Sequence, residues 1–212
     1  MFLHRIHATH LAAVLFAALL SGLLLAPPGS ALAQTRLHPA LFALSAADFP
    51  PASQVVRAGV EGNRRLLGDQ ALHFGLPPAI IGRLTGYYMD AIEGDPTLAT
   101  HPYTSYLVSI FHSARQAERA LDLRWDTWFA ANYYTSPAPP PIALGDQGDV
   151  ALFHTLDPNQ PPLTELMFRR GAVLVEVFQG TGSGAATTAQ SQAFYSIATK
   201  LDEVAYAHPF GA

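Results

Sequence analysis

The chain has 212 residues, half of them hydrophobic, with 12 basic and 16 acidic side chains and no cysteine. A net charge of −4 argues against nucleic acid as a partner, because phosphate binding asks for a basic face. The missing thiols exclude disulfides and a lipid-bearing cysteine, so packing alone has to hold the fold.

Residues 1–10 carry Arg5 and three histidines but no acid, and residues 11–20 are an unbroken apolar run. The run resumes at Leu23 and ends at Pro27-Pro28-Gly29-Ser30, followed by Ala31-Leu32-Ala33. Basic, then apolar, then small residues is the order of a secretory signal, with cleavage expected after Ala33. Residues 11–26 fall short of the roughly 20 apolar residues that span a bilayer. Membrane contact is therefore expected only if the signal stays on, and the mature domain is expected in the periplasm or outside the cell. Removing residues 1–33 takes away one Arg and no acid, leaving 11 basic against 16 acidic side chains, a net −5.

Residues 34–79 read as an N-terminal extension. Asp48-Phe49-Pro50-Pro51 is an extended turn, since a residue before proline avoids the helical region. Asn63 caps a short helix expected over 63–74, with Gly75 and Pro77-Pro78 beyond it. The domain proper is expected over 80–212. Residues 83–93 form its first strand, closed by Gly94-Asp95-Pro96. Residues 103–112 form the second. There Tyr106, Val108 and Ile110 share one face while Leu107 and Phe111 share the other, which predicts a central strand.

A helix is expected from 114 to about 133, opened by a Ser113/Gln116 capping box. Ala117, Leu121, Trp125, Trp128 and Phe129 recur on one side, and Arg115, Glu118, Arg119, Asp122 and Asp126 occupy the other. A proline-rich loop leads to Gly145-Asp146-Gln147-Gly148 and a strand over 149–156. Residues 163–169 and 172–179 pair as a hairpin across Arg170-Gly171, where glycine accepts positive φ. Val173, Val175 and Val177 share a face of its second strand, and Glu176 points the opposite way, toward a half-exposed face. A last helix runs from 187 to 206, with Ala193, Phe194, Ile197, Leu201 and Val204 as its buried stripe. The sum is an α+β fold, a mainly antiparallel five-stranded sheet packed by helices.

The motifs with chemical potential read mostly as structure. Gly180-Thr181-Gly182-Ser183-Gly184-Ala185 matches the spelling of a dinucleotide fingerprint, but no later strand completes the βαβ unit. Asp146, Asp149 and Asp157 lack the alternate acids and closing Glu of a calcium loop. The six mature histidines show no helical ligand spacing, so neither a metal nor another cofactor is expected. His112 and His154, on predicted strands, are the pair to watch for an unrecognised hydrolase site. Trp125, Trp128 and Tyr134 gather at one end of the long helix and could line an apolar pocket. Arg169 at the hairpin could meet an anion.

The stretch Leu144-Gly145-Asp146-Gln147-Gly148, a strand, then Met167-Phe168-Arg169-Arg170-Gly171-Ala172-Val173-Leu174-Val175 resembles a "GD…, FRxGN-VVV" pattern. It belongs to exported bacterial proteins of unknown function, some of them lipoproteins. Asp48-Phe49-Pro50, Gly86-Tyr87 and the helix start at Ser113 fit the same layout. The chain departs in having Ala172 where Asn is common and in lacking the lipobox cysteine. Similar layouts occur in the PsbP/Mog1-like sandwich, which also appears in mycobacterial envelope lipoproteins. The resemblance implies that fold and supplies no catalytic residues. The functional expectation is an exported, non-catalytic binding or accessory protein of the cell envelope. An apolar small molecule or an envelope protein would be its partner, at Trp125, Trp128, Tyr134 and Arg169. The alternative is a small exported hydrolase.

Overall fold

Alternating apolar side chains in the strands at 83–93, 103–111 and 173–180 give the sheet two dissimilar faces, and the two helices among the described residues take one face each. The computed structural model describes residues 37–63, 80–94, 101–130, 139–153, 163–182 and 186–210, with backbone alone at 128–130, 152 and 153. The elements are β1 (Ser53–Gly62), β2 (Arg83–Glu93), β3 (Tyr103–Phe111), α1 (Ala114–Ala130), β4 (Gln147–Phe153), β5 (Leu163–Arg170), β6 (Val173–Gly180) and α2 (Thr188–Ala207). The sheet order is β1-β2-β3-β6-β5-β4, and every neighbouring pair is antiparallel.

On the first face Tyr87, Met89, Tyr106, Val108, Ile110, Phe168, Val173, Val175 and Val177 pack against Phe194, Ile197, Ala198, Leu201 and Ala205 of α2. Each such large side chain removed from water contributes about 1.5–3 kcal/mol. Phe42 and Phe49, from two short 3-10 turns at Pro39–Phe42 and Ala46–Asp48, complete this layer. The Tyr106 hydroxyl fastens the first turn to the sheet. It donates to the Phe42 carbonyl at 2.6 Å and accepts from the Leu44 amide at 3.1 Å. On the second face Ala117, Ala120, Leu121 and Trp125 of α1 pack on Phe111, Ala151, Met167 and Leu174.

Among the described residues the sheet has six strands, against the five expected. The missed strand is β1, whose sequence SQVVRAGVEG is exposed at almost every position. An edge strand buries little, so it carries no clean alternation to read. Residues 34–79, read from sequence as an extension, thus supply an edge strand and two 3-10 turns to the unit formed by 37–212. Strands at 83–93, 103–111, 163–170 and 173–180 fall where the pattern places them, and the last three strands form the expected meander. The signal at 1–33 lies outside the described residues, as does the helix expected over 63–74 beyond its first residue, Asn63.

The turn chemistry explains the motif around Gly145 and Gly171. Both glycines have positive φ, +61° and +53°. Asp146 accepts from the Gly171 amide at 2.7 Å and from Arg169 at 3.2 Å. Asp202 of α2 accepts from the Gly145 amide at 3.1 Å and takes both ends of the Arg170 guanidinium, at 2.5 and 2.6 Å. The two acids pin the hairpin turn to the strand before it and to the last helix.

Candidate ligand cleft

Antiparallel register lays the α1 face of the sheet out in rows. One row runs Arg57, Asp90, Ser105, Phe178, Glu165 across five strands, and the next runs Gly59, Tyr88, Leu107, Glu176, Met167. Helix α1 packs on β3, β5 and β6 and leaves the β1–β2 half to other groups. A cleft of about 100 Å³ opens there, lined by Arg57, Glu61, Tyr88, Asp90, Ser105, Tyr106, Leu107 and Phe178.

Local backbone features set the positions of its polar groups. A bulge in β1 between Val55 and Arg57 shifts the register, so Arg57 lies directly opposite Asp90; bulges re-aim side chains in this way. Gly59, opposite Tyr88, leaves the tyrosine ring open from that side. The Arg57 guanidinium fills the space, 4.4 Å from the ring centroid, a favourable cation–π distance. Interaction with the Tyr88 hydroxyl raises the Arg57 pKa, while burial raises that of Asp90 against the opposing pull of Arg57.

Behind the cleft the same face buries five charged side chains among the described residues. Arg83 donates from Nε to Ser109 Oγ at 2.9 Å and from Nη1 to Asn63 Oδ1 at 3.0 Å, with Glu61 Oε2 3.8 Å from Nη2. Burial draws the Arg83 pKa down to about 10. Arg124 of α1 reaches down between two strands, with Nε 2.6 Å from Glu176 Oε1 and Nη2 3.2 Å from Glu165 Oε1. Both glutamates are fully buried. Burial pushes the Glu165 carboxyl up to about 8, Arg124 opposing and Glu176 reinforcing the shift. Its Oε2 has no hydrogen-bond partner among the described residues. Glu176 is thus not on a half-exposed face as the alternation suggested: Arg124 covers it. The helical pattern misses Arg124 because a buried arginine at a core position looks like an interruption of the stripe. The paired acids at 165 and 176, on neighbouring strands, are the signal that could have found it.

The residues singled out from sequence are dispersed. Trp125 is buried in the core between α1 and the sheet. The Trp128 side chain and Tyr134 lie outside the described residues, as does His154. Arg169 stands at the hairpin end of β5, engaged by Asp146 and the Gly171 carbonyl. Neither Trp125 nor Arg169 lines the cleft. His112 is exposed just after β3, and Asp149 is half-buried on β4 with its pKa raised by burial. Among the described residues no group of three His, Asp or Glu is placed to hold a metal ion, and no helix is long and apolar enough to cross a membrane.

No protein-family model matches the chain, and no curated protein matches it at a significant level. The fold is similar to the crystal structure of the extracellular domain of PknH from Mycobacterium tuberculosis. That likeness has a TM-score of 0.54 and 12% identity, and covers 81% of this chain and 97% of that one. At this identity the likeness concerns the fold: an α+β domain with an antiparallel sheet between helices.

Proposed function

We propose that the mature chain is an exported, non-catalytic binding domain of the cell envelope that takes a small ligand in the cleft on the β1–β3 half of the sheet. The observation that carries this reading is the cleft's chemistry. A cation, two carboxylates, a hydroxyl and two aromatic rings, from Arg57, Asp90, Glu61, Ser105, Tyr88 and Phe178, line one concave place. A few polar groups on an apolar and aromatic wall is the usual composition of a ligand site. The basic, apolar, small-residue order of residues 1–33 supports export. The extracellular setting of the PknH domain, a fold neighbour, is consistent with it. The turn motif at Gly145 and Gly171 supports a kinship with PsbP/Mog1-like envelope proteins, its acids acting as clamps. An envelope protein or an apolar molecule, the partners expected from sequence, would then be met through this cleft rather than through Trp125.

The test is a thermal-shift screen of small charged and aromatic metabolites on the purified protein and on Ser105→Trp, which fills the cleft. Binding by the parent and none by the filled variant is the expected result. Equal binding by both places the ligand elsewhere, and no binding by either counts against the domain being a small-molecule receptor. N-terminal sequencing of the exported protein checks for a start at Gln34.

A further inference from the structure

Cross-strand neighbours of opposite charge ordinarily pair, since their Cβ atoms stand about 5 Å apart. Arg57 and Asp90 are such neighbours. Yet no ion pair joins them among the described residues: the guanidinium is engaged by the Tyr88 hydroxyl and ring and lies in the field of both Asp90 and Glu61. The arginine is drawn aside over the Tyr88 ring, and the carboxylate is left half-buried in the cleft wall. The cleft lining thus includes a guanidinium whose remaining donors are not taken by Asp90 and a half-buried carboxylate, beside Leu107 and Phe178.

A ligand with a single charge would satisfy one of these groups and leave the other desolvated, which costs free energy. A ligand bearing an ammonium and a carboxylate answers both: the ammonium donates to Asp90, and the carboxylate accepts the two-pronged guanidinium of Arg57. Leu107 and Phe178 offer the apolar wall for whatever side chain it carries. Each water-sized group needs roughly 10–15 Å³ of such space, so the cleft seats a molecule of about seven to ten non-hydrogen atoms. We infer that the cleft is a receptor site for a small zwitterion of the α-amino-acid class with an apolar side chain. This inference rests on the cleft being the ligand site and names what it takes.

The experiment is a titration of the purified protein, followed by amide chemical shifts, with L-leucine, L-leucinamide and N-acetyl-L-leucine. The analogues lack the carboxylate and the ammonium respectively. L-leucine is expected to bind saturably, shifting β1–β3 amides, with each analogue weaker by about tenfold or more. Arg57→Gln should abolish the preference over the amide, and Asp90→Asn the preference over the acetylated form. Arg57 is exposed and Asp90→Asn keeps the side chain's shape, so both variants should fold; an unchanged set of amide resonances outside the cleft checks it. If N-acetyl-L-leucine binds as well as L-leucine, or both variants keep full discrimination, the zwitterion assignment is wrong while the cleft remains the ligand site. If none of the three moves a cleft resonance at millimolar concentration, the zwitterion assignment is overturned. Whether the cleft is a ligand site at all is then decided by the Ser105→Trp screen.

Discussion

A methyl group at Gly86 would stand 2.1 Å from the Val108 carbonyl oxygen and 2.3 Å from Arg83 Nη2. The glycine is there because the buried guanidinium lies across strand β2 at that point, and no side chain can share the space. Gly86→Ala is expected to lower stability by about 1–3 kcal/mol, the usual cost of overpacking a filled core. A urea midpoint shifted down with an unchanged slope would check it, and an unshifted midpoint would mean that both Arg83 and the backbone at Val108 give way. Tyr106 gives a second prediction at this scale. Its pKa is raised by burial, and its hydroxyl serves both a carbonyl and an amide of the N-terminal turns. Tyr106→Phe keeps the ring and strands both partners. It should cost about 1–3 kcal/mol, and in native-state hydrogen exchange the Leu44 amide should lose protection selectively.

Elements were legible in the sequence to the degree that they are buried on a regular period. Val173, Val175 and Val177 show their shared face without help, because β6 is a central strand with a helix on each side. In α2, Phe194, Ile197 and Leu201 were readable for the same reason, but its cap was not singled out. Thr187 accepts from the Gln190 amide at 3.2 Å, and the Gln190 side chain accepts from the Thr187 amide at 2.8 Å. Thr187→Ala should therefore cost about 1 kcal/mol and fray the first turn of α2. A drop in melting temperature partly restored by Thr187→Asp, which can cap as well, separates capping from loss of a methyl. The candidate site was far less legible. Arg57, Asp90 and Ser105 are 15 to 48 positions apart in the chain and meet only through the register of three antiparallel strands. One of those strands, β1, carries no alternation, so no local pattern announces the row. The aromatic cluster on α1 was conspicuous because it is local, and the part of it that is described, Trp125, serves the core.

At the scale of the whole molecule, the described residues of the α1 face bury three carboxylates, Glu61, Glu165 and Glu176, against two guanidiniums, Arg83 and Arg124. Burying an unpaired charge is expensive, so the surplus acid is held neutral instead. Glu165 is that acid, with its carboxyl pushed up to about 8 by burial. Unfolded, the same group ionises near 4.3. Between those two values the native state binds a proton that the unfolded chain has released. The group's contribution to stability is therefore fully present below the unfolded value and is lost progressively as pH rises toward 8. Glu165→Gln carries the neutral shape permanently and removes this loss. The difference in unfolding free energy between the variant and the parent should grow in the variant's favour from pH 5 to pH 8.5, by on the order of 2–4 kcal/mol. Taking the difference cancels groups of opposite sign such as Asp48, whose pKa is lowered by its hydrogen bond to Lys200. Urea unfolding of both proteins across that range is the measurement. Parallel profiles would mean that Glu165 is ionised in the fold and that Arg124 balances both glutamates at once. Glu176→Gln should behave differently. It weakens the 2.6 Å contact with Arg124 and removes the negative neighbour that helps keep Glu165 protonated. The downturn with pH should then be shallower and end at a lower pH, since the folded pKa of Glu165 moves back toward its unfolded value, on a protein less stable throughout.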